Sequence, residues 1–457
     1  MQVGLQGLGR LIALVLNMVT FAVILSGLTP AGYGTAALAL TLTEGAGTVA
    51  AFGIDKAVFR ALSVDELDGR GLGAAVLVRI AFAASVGLLA IGLVLLLPDG
   101  ALRTPLVVAL AAMPIAALIT VQQVLRARVR LVPFAIADVT GSALTLGLVV
   151  AFSMGGLRPV EVVLGTVLSN LVVWLALAVV ASRELRPRFA PGRLRADVRG
   201  LLRRSRMLGV GDATVVAYYR ADVIALGATT GGAALGIYAA AYRFVDIAMY
   251  AQAIVIGAFF PRIARAWSDP VALRALLREV SGFLLALAVI AFVTVVTLGP
   301  AVIEAFGGSS YGDITGLVSI LMTVTAVMFV NRLLIQALIA GGFAGRQAVC
   351  WLGGVAGALL AFPLSAFFAE RGAGTAMLIG ELLILAIAAR QLGALGALPP
   401  PVMPGAGFVA FVFFVGAALV AAVLPDAVRL PLGVAIALLT TAGFLVRVRR
   451  RGALVGA

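Results

Sequence analysis

Residues 31–45, "AGYGTAALALTLTEG", match residues 234–247, "ALGIYAAAYRFVDI", at an offset of 202 residues. Each segment runs from a Gly-rich turn through an acidic residue in an apolar run, and an arginine follows at its far end. The aligned pairs are Gly34 with Gly236, Glu44 with Asp246 and Arg60 with Arg262. Transporters are often built from duplicated halves with the binding site between them. The repeat therefore predicts two related lobes.

The composition predicts an all-α polytopic membrane protein. Of the 457 residues, 62% are hydrophobic and only 12% are charged, which is outside the range of soluble globular proteins. A membrane-spanning helix needs roughly 20 mostly apolar residues, and the chain divides into about fourteen such stretches. The predicted spans are 8–28, 34–56, 72–97, 105–125, 133–154, 160–182, 207–229, 233–260, 279–299, 314–340, 347–369, 373–392, 405–424 and 430–446.

The rarest residue types limit the possible chemistry. The chain has one cysteine, Cys350, and no histidine, so neither an internal disulfide nor a metal site is predicted. The first apolar run has no small-residue cleavage signature, so we expect the first span to be retained.

The net charge of +14 is explained by topology. With the N-terminus inside, 26 of the 34 basic residues fall in cytoplasmic segments, four in outer loops and four within spans. Cytoplasmic loops of membrane proteins retain Lys and Arg, so both termini are predicted to be cytoplasmic. The basic loops are expected to contact anionic lipid, not nucleic acid. The abundance of Arg, Ala, Gly, Leu and Val indicates a bacterial source, and hence the bacterial cytoplasmic membrane.

The largest basic cluster marks the predicted domain boundary. Nine arginines occur in "RELRPRFAPGRLRADVRGLLRRSR", between the sixth and seventh spans. The predicted division is an N-terminal lobe over 1–182, a basic cytoplasmic linker over 183–206, a C-terminal lobe over 207–392, and two further spans with a basic tail over 393–457. The fold predicted is thus two six-helix bundles plus two C-terminal helices.

The outer loops weigh against a membrane enzyme. They are short, as in "SGLTPAGYG" and "GATTGGAALG". A membrane glycosyltransferase or ligase needs a catalytic acid, base or metal ligand in a substantial external loop. The sequence therefore predicts a protein that is not an enzyme.

Several segments resemble those of the oligosaccharide flippases (Wzx-type). They are "LTPAGYGTAAL", "GIDKAVFRALS", the basic linker, "YYRADVIALG", "GIYAAAYRF" and "FFPRIARAW". This family belongs to the multidrug/oligosaccharidyl-lipid/polysaccharide (MOP) superfamily, with lipid II flippases and MATE drug exporters. The resemblance implies a V-shaped transporter that moves polyprenyl-diphosphate-linked oligosaccharide from the cytoplasmic to the outer leaflet. It also implies a cationic cavity, and membrane lipids and polysaccharide polymerase machinery as further partners.

Paired charges within spans seven and eight are the first candidate site. A charged group at mid-membrane costs about 2.5–3.5 kcal/mol on insertion scales, so it usually faces a partner or an aqueous cavity. Arg243 and Asp246 share a face of span eight with tyrosines that could cover a sugar ring. Arg220 and Asp222 point roughly 160° apart on a helix, so interhelical ion pairs and cavity lining both remain open for them. The tyrosines concerned are Tyr218, Tyr238 and Tyr242.

Span ten and span two supply further candidates. Arg332 and its neighbour Asn331 lie deep in span ten and are predicted to bind the substrate with the arginines above. Glu44 lies among small residues that leave room for water or an ion. Arg79 is close enough to a cytoplasmic end to reach the membrane surface. Glu381 has no partner that the sequence identifies.

The predicted mechanism is anion transport by alternating access. Arginine offers fixed planar donors that hold two phosphate oxygens at once, which suits a diphosphate headgroup. Glu44, Asp222 and Asp246 could compete for the arginines or bind a coupling cation. No cofactor is expected, and coupling to H⁺, to Na⁺ or to membrane potential remains open. The alternatives are a MATE-like cation-coupled drug exporter and a lipid II flippase.

Overall fold

The computed structural model describes residues 2–397 except 64, 97–99, 190, 191, 193 and 313. The predicted spans 405–424 and 430–446 lie outside the described residues. Within them, the regular structure is helical. The helices are α1 (Gln2–Gly27), α2 (Pro30–Ala51), α3 (Ile54–Ser63), α4 (Gly69–Leu96), α5 (Arg103–Ala111), α6 (Leu118–Ala127), α7 (Val132–Ser153), α8 (Pro159–Glu184), α9 (Leu194–Tyr219), α10 (Ala221–Thr229), α11 (Gly232–Ala266), α12 (Pro270–Gly307), α13 (Thr315–Ala340) and α14 (Ala344–Ala394).

The predicted class, an all-α polytopic membrane protein, is confirmed. In the part of the chain that the structure describes, nine helices are long and apolar enough to cross a membrane, or ten if the bent pair α2 and α3 forms one span. This number is compatible with about fourteen spans in the whole chain.

Besides the 3-10 turn over Met113–Ala117 within the predicted span 105–125, two predicted spans are interrupted. The second ends at Ala51, where Phe52 (φ 45°) and Gly53 (φ 69°) adopt left-handed conformations. There α3 departs at 52° from α2. The seventh is interrupted at Arg220, between α9 and α10. A side-chain pattern shows which face of a helix is apolar but not where backbone hydrogen bonding stops, so the sequence missed both breaks.

Contacts divide the chain into two compact units, Met1–Gly227 and Ala228–Ala457. In the N-terminal unit, α1 packs along α7, α8 packs on α6 and α7, and α9 packs on α2, α3 and α4. The second half of the predicted basic linker is therefore the first part of a helix, α9. The prediction of lobes over 1–182 and 207–392 stays a prediction.

A close approach of backbones positions α9 beside the bend between α2 and α3. A Cβ atom on Gly53 would lie 2.5 Å from the backbone nitrogen of Gly209, and one on Gly209 would lie 2.7 Å from the carbonyl carbon of Phe52. Any side chain at either position would therefore push α9 away. Glycine is needed at position 53 for its positive φ as well.

In the C-terminal unit, α13 is the central helix. It packs against α11, α12 and α14, and 83% of its most apolar stretch is buried. Helix α14 is broken at Ala369 (φ 49°), and its two halves pack against each other through Gly357 and Gly380. Small residues let membrane helices approach closely, which increases the dispersion contacts between them.

Candidate functional site

A cavity of about 720 Å³ lies within the N-terminal unit. Its lining comes from α2, α3, α4, α5, α6, α8 and α9, from the bend between α2 and α3, and from the segment between α5 and α6. Most of the lining is apolar, but charged side chains from five helices reach it. They are Glu44, Asp55, Lys56, Arg79, Arg126 and Asp212. Ligand pockets of about 300–1,000 Å³ with a few placed polar groups are typical of small-molecule sites.

Arg79 is the buried cation of this lining. Its side chain is 4% exposed, and its Nε atom lies 3.7 Å from Oδ2 of Asp55. Its Nη2 donates to the carbonyl oxygen of Gly47 at 3.4 Å, whereas Nη1 has no hydrogen-bond partner among the described residues. The sequence predicted a structural role for Arg79 through contact with the membrane surface. The side chain instead points into the bundle, where Asp55 gives it a counter-charge.

The carboxylate of Asp55 is held by a second helix. Thr120 of α6 donates its hydroxyl to Oδ1 of Asp55 at 2.5 Å. Asp55 therefore receives a hydrogen bond from α6 and an ion pair from α4, while it belongs to α3 itself. This arrangement fixes the carboxylate in one orientation beside the cavity.

The other two carboxylates of the lining are also paired with basic groups. Lys56 binds Asp212 of α9, and Arg220 donates to Oε2 of Glu44 at 2.5 Å. The side chains of Glu44 and Arg220 are 60% and 30% exposed, so this ion pair is accessible to solvent. Arg126, by contrast, has no carboxylate within 4.0 Å among the described residues, although its guanidinium lies 5.2 Å from the Phe134 ring centroid.

The break at Arg220 separates the two charged residues of "YYRAD". Arg220 contacts Glu44 on α2, whereas Asp222 is buried and accepts a hydrogen bond from the backbone N–H of Val223 at 2.8 Å. Tyr218 is buried as well, with its ring centroid 4.8 Å from that of Tyr219. Of the predicted site residues in the N-terminal unit, the structure thus brings Arg220 and Glu44 into contact.

The remaining predicted site residues belong to the C-terminal unit. On α11, Nη1 of Arg243 lies 3.7 Å from Oδ2 of Asp246, and both side chains are nearly half exposed. The rings of Tyr238 and Tyr242 lie 5.8 Å apart, and Tyr238 is completely buried. Arg243 and Asp246 are therefore accessible, while Tyr238 packs inside the unit.

On α13, Arg332 and Asn331 have different surroundings. The guanidinium of Arg332 lies 5.4 Å from the Trp351 ring centroid, a cation–π contact. Asn331 is buried and donates from Nδ2 to Oε2 of Glu381 at 2.5 Å and to its backbone carbonyl at 2.7 Å. Glu381, which had no partner in the sequence, thus receives one from α13.

Sequence reasoning missed several residues of the cavity. Asp55 and Lys56 occur in "GIDK", just after the bend, where they were counted as an end of a span. Asp212, in "GVGDATVV", is a lone acid in an apolar run, which was a usable signal. Arg126 was read as part of a basic loop. Asn170 and Trp174 carried no charge that would have marked them.

The family can now be named from the sequence match. Residues 2–267, more than half of the chain, match the model described as "Polysaccharide biosynthesis protein". The chain belongs to this family. The resemblance noted in the sequence is thereby confirmed, and the matched region includes the whole cavity lining. None of the curated proteins matches the sequence.

Solved structures identify the fold of the chain. It is similar to "Lipid II flippase MurJ, inward closed conformation", with a TM-score of 0.77, 10% identity, and coverage of 98% of this chain and 99% of that one. It is also similar to a multidrug resistance MATE family transporter of the MOP superfamily in an inward-facing conformation. The TM-score is 0.66 and the identity 15%, and the match covers 84% of this chain and 95% of that one. For a MOP superfamily transporter from Pyrococcus furiosus the TM-score is 0.59 and the identity 13%, and the match covers 93% of this chain and 95% of that one. The fold is that of the MOP superfamily.

Proposed function

We propose that this protein is a flippase that moves polyprenyl-diphosphate-linked oligosaccharide from the cytoplasmic to the outer leaflet for cell-surface polysaccharide assembly. The family match and the superfamily fold support transport in polysaccharide biosynthesis. The fold also suits transport by alternating access. The substrate would be the lipid-linked oligosaccharide. The surrounding membrane lipids and the polysaccharide polymerase machinery would be further partners.

The charge balance of the N-terminal cavity carries the proposal. Each carboxylate of its lining is already paired with a basic group: Asp55 with Arg79, Asp212 with Lys56 and Glu44 with Arg220. Arg126 adds a positive charge without a carboxylate within 4.0 Å in the described residues. A diphosphate would gain two-bond contacts from arginine at such a site. An organic cation would meet carboxylates that are already neutralised.

The sequence-predicted binding residues are part of the same proposal. In the N-terminal unit the proposed contacts are Arg220 and Tyr218. In the C-terminal unit, taken by itself, Arg243 is an accessible candidate. Arg332, Asn331, Tyr238 and Tyr242 complete the proposed diphosphate and sugar contacts. To release the diphosphate headgroup, the arginines must exchange it for another anion. We propose that the carboxylates of Glu44, Asp222 and Asp246 are these anions.

Coupling by H⁺ or Na⁺ is proposed at the same carboxylates. Glu44 is the best placed of them to bind a coupling ion, because its side chain is 60% exposed. Its partner Arg220 could also release Glu44 and bind a phosphate in its place. Protonation or Na⁺ binding at Glu44 would weaken its hold on Arg220 and so favour anion binding there.

A second candidate function is cation export. It is favoured by the similarity to a multidrug resistance MATE family transporter and by the three carboxylates of the cavity. Loss of the gene separates the two candidates. The flippase proposal expects lipid-linked oligosaccharide to accumulate on the inner leaflet of the bacterial cytoplasmic membrane, and surface polysaccharide to disappear. Normal surface polysaccharide with increased sensitivity to cationic drugs would support export.

Reconstitution tests the role of the cavity directly. The sugar-lipid extracted from the strain lacking the protein is placed in vesicles, and its exposure is followed with a lectin. Wild-type protein should expose it, and Arg126→Gln should slow exposure at least tenfold while Arg126→Lys retains part of the rate. Arg278→Gln, a change at an exposed arginine outside the cavity lining, is the control. Equal rates for Arg126→Gln and wild type would exclude this role of Arg126.

A further inference from the structure

One face of α8 presents uncharged polar side chains to the cavity. Thr166, Asn170 and Trp174 follow each other at intervals of four residues, and all three line the cavity. Residues four apart lie on one face of a helix. On its other side, α8 exposes apolar residues typical of a lipid-facing surface, namely Leu168, Val172, Leu175 and Val179.

Two of the three polar groups on the cavity face have no hydrogen-bond partner among the described residues. The amide of Asn170 and the indole N–H of Trp174 form no hydrogen bond with any described residue, and both side chains are half-buried. Thr166 donates its hydroxyl to the carbonyl of Val162 at 2.9 Å, which leaves its oxygen free to accept. This face therefore offers donors, acceptors and an aromatic ring that the fold itself does not use.

The start of this face lies at about the depth of Arg79. The backbone N–H of Arg188, just after α8, donates to the carbonyl of Gly69 at 2.7 Å, so α8 ends where α4 begins. Arg79 is ten residues into α4 and Trp174 ten residues before the end of α8, which places each about 15 Å from that end of the unit. From Trp174 to Thr166 the face extends about 12 Å farther.

We propose that Thr166, Asn170 and Trp174 form a sugar-binding subsite of the cavity, next to the charged groups. The inference rests on the proposed flippase function and names the part of the substrate that this face recognises. A neutral sugar presents hydroxyl groups that an amide and an indole N–H can bind, and an apolar ring face that indole covers. A diphosphate would instead prefer the arginines, and a polyprenyl tail would leave the amide without a partner.

The arrangement also orders the substrate along the cavity. The diphosphate would lie between Arg79 and the end of α6, where Arg126 is located and where Arg128 contacts Glu184 at the end of α8. The first sugar would lie against Trp174. Later sugars would extend past Asn170 toward Thr166. The subsite thus distinguishes a sugar-bearing lipid from the bare polyprenyl diphosphate, which shares the tail and the phosphates.

Equilibrium binding to the full-length protein in lipid nanodiscs tests the subsite. Two probes are compared: the sugar-lipid extracted from the strain lacking the protein, and undecaprenyl diphosphate. Trp174→Ala and Asn170→Ala should each weaken binding of the sugar-lipid about tenfold and leave binding of undecaprenyl diphosphate within about twofold. Trp174→Phe should lose less, because it keeps an aromatic face. Leu175→Ala, on the lipid-facing side of α8, should change neither affinity.

A second measurement does not depend on the stability of these variants. In a Trp267→Phe/Trp351→Phe background, Trp174 is the remaining tryptophan, since the chain contains three. Its fluorescence emission should shift with the sugar-lipid and not with undecaprenyl diphosphate. The subsite is excluded if the emission responds equally to both probes, or if Trp174→Ala weakens both equally. Absence of any sugar-lipid in the deletion strain would instead count against the proposed function.

Discussion

Arg79 of α4 and Asp55 of α3 form a buried ion pair beside the cavity, with Nε and Oδ2 3.7 Å apart. Removing one partner of such a pair leaves a charge without compensation in a medium of low dielectric constant, which typically costs about 3–5 kcal/mol. The hydroxyl of Thr120 continues to support Asp55 when Arg79 is lost.

We therefore expect Arg79→Gln to destabilise the protein by about 3 kcal/mol, at the lower end of this range. The measurement is the unfolding temperature in detergent together with the abundance of the protein in the membrane. The double variant Arg79→Gln/Asp55→Asn should recover part of the loss, because neither charge then remains. A single variant as stable as wild type would show that the pair does not support the fold.

Replacing Glu44 should change the affinity for a diphosphate more than it changes the stability of the fold. It pairs with Arg220, but the two side chains are 60% and 30% exposed, and pairs that contact water contribute only about 0–1 kcal/mol. We expect Glu44→Gln to fold normally and to bind undecaprenyl diphosphate severalfold more tightly, because one competing anion is gone. Glu304→Gln, at an exposed carboxylate of the C-terminal unit, is the control. Unchanged affinity in Glu44→Gln would contradict competition.

Arg243 and Asp246 test the contribution of the C-terminal unit. Their pair on α11 is nearly half exposed, and exposed helix pairs contribute about 0.2–0.5 kcal/mol. Arg243→Ala should therefore leave protein abundance unchanged while abolishing transport in vesicles, and Arg243→Lys should restore it only in part. The same comparison applies to Arg332→Ala. Full transport by a well-expressed Arg243→Ala/Asp246→Asn double variant would remove Arg243 from the binding site.

Two glycines of α14 give a matched pair of substitutions. A Cβ on Gly357 would lie 2.6 Å from the Cα of Gly380, whereas one on Gly393 would meet no atom within 4 Å. We expect Gly357→Ala to destabilise the protein by about 1–3 kcal/mol, because the two halves of α14 must separate. Gly393→Ala should be neutral or stabilising by up to about 1 kcal/mol, since alanine favours a helix. The measurement is the unfolding temperature of each variant. Equal values would contradict the close packing of the two halves of α14.

The predicted orientation has a direct test. Reporters active only in the cytoplasm and fused near Arg195 or after Arg451 should be active, and a label applied from outside should reach Gly231. The reason is the concentration of basic residues in the segments assigned to the cytoplasm. A basic segment near Arg195 found outside would overturn the predicted topology.

The amino-acid sequence by itself determined the membrane class and the helical fold. Composition and apolar length suffice for that, because a segment in lipid must satisfy its own backbone hydrogen bonds and a helix does so locally. Short motifs also identified the family over residues 2–267. Local breaks escaped this reasoning: the bend at Phe52 and Gly53 depends on backbone dihedral angles that no apolar pattern encodes.

Only the tertiary structure decided which charges are partners. Glu44 and Arg220 are 176 residues apart in the chain, and Lys56 and Asp212 are 156 apart. The helical repeat gives the face on which a side chain lies but not the helix that covers that face. Arg79 was misplaced for this reason, since its depth could be counted but Asp55 could not be located. Asn170 and Trp174 became visible as a candidate site only from packing, which leaves their polar side-chain atoms beside a cavity and without partners in the described part of the chain.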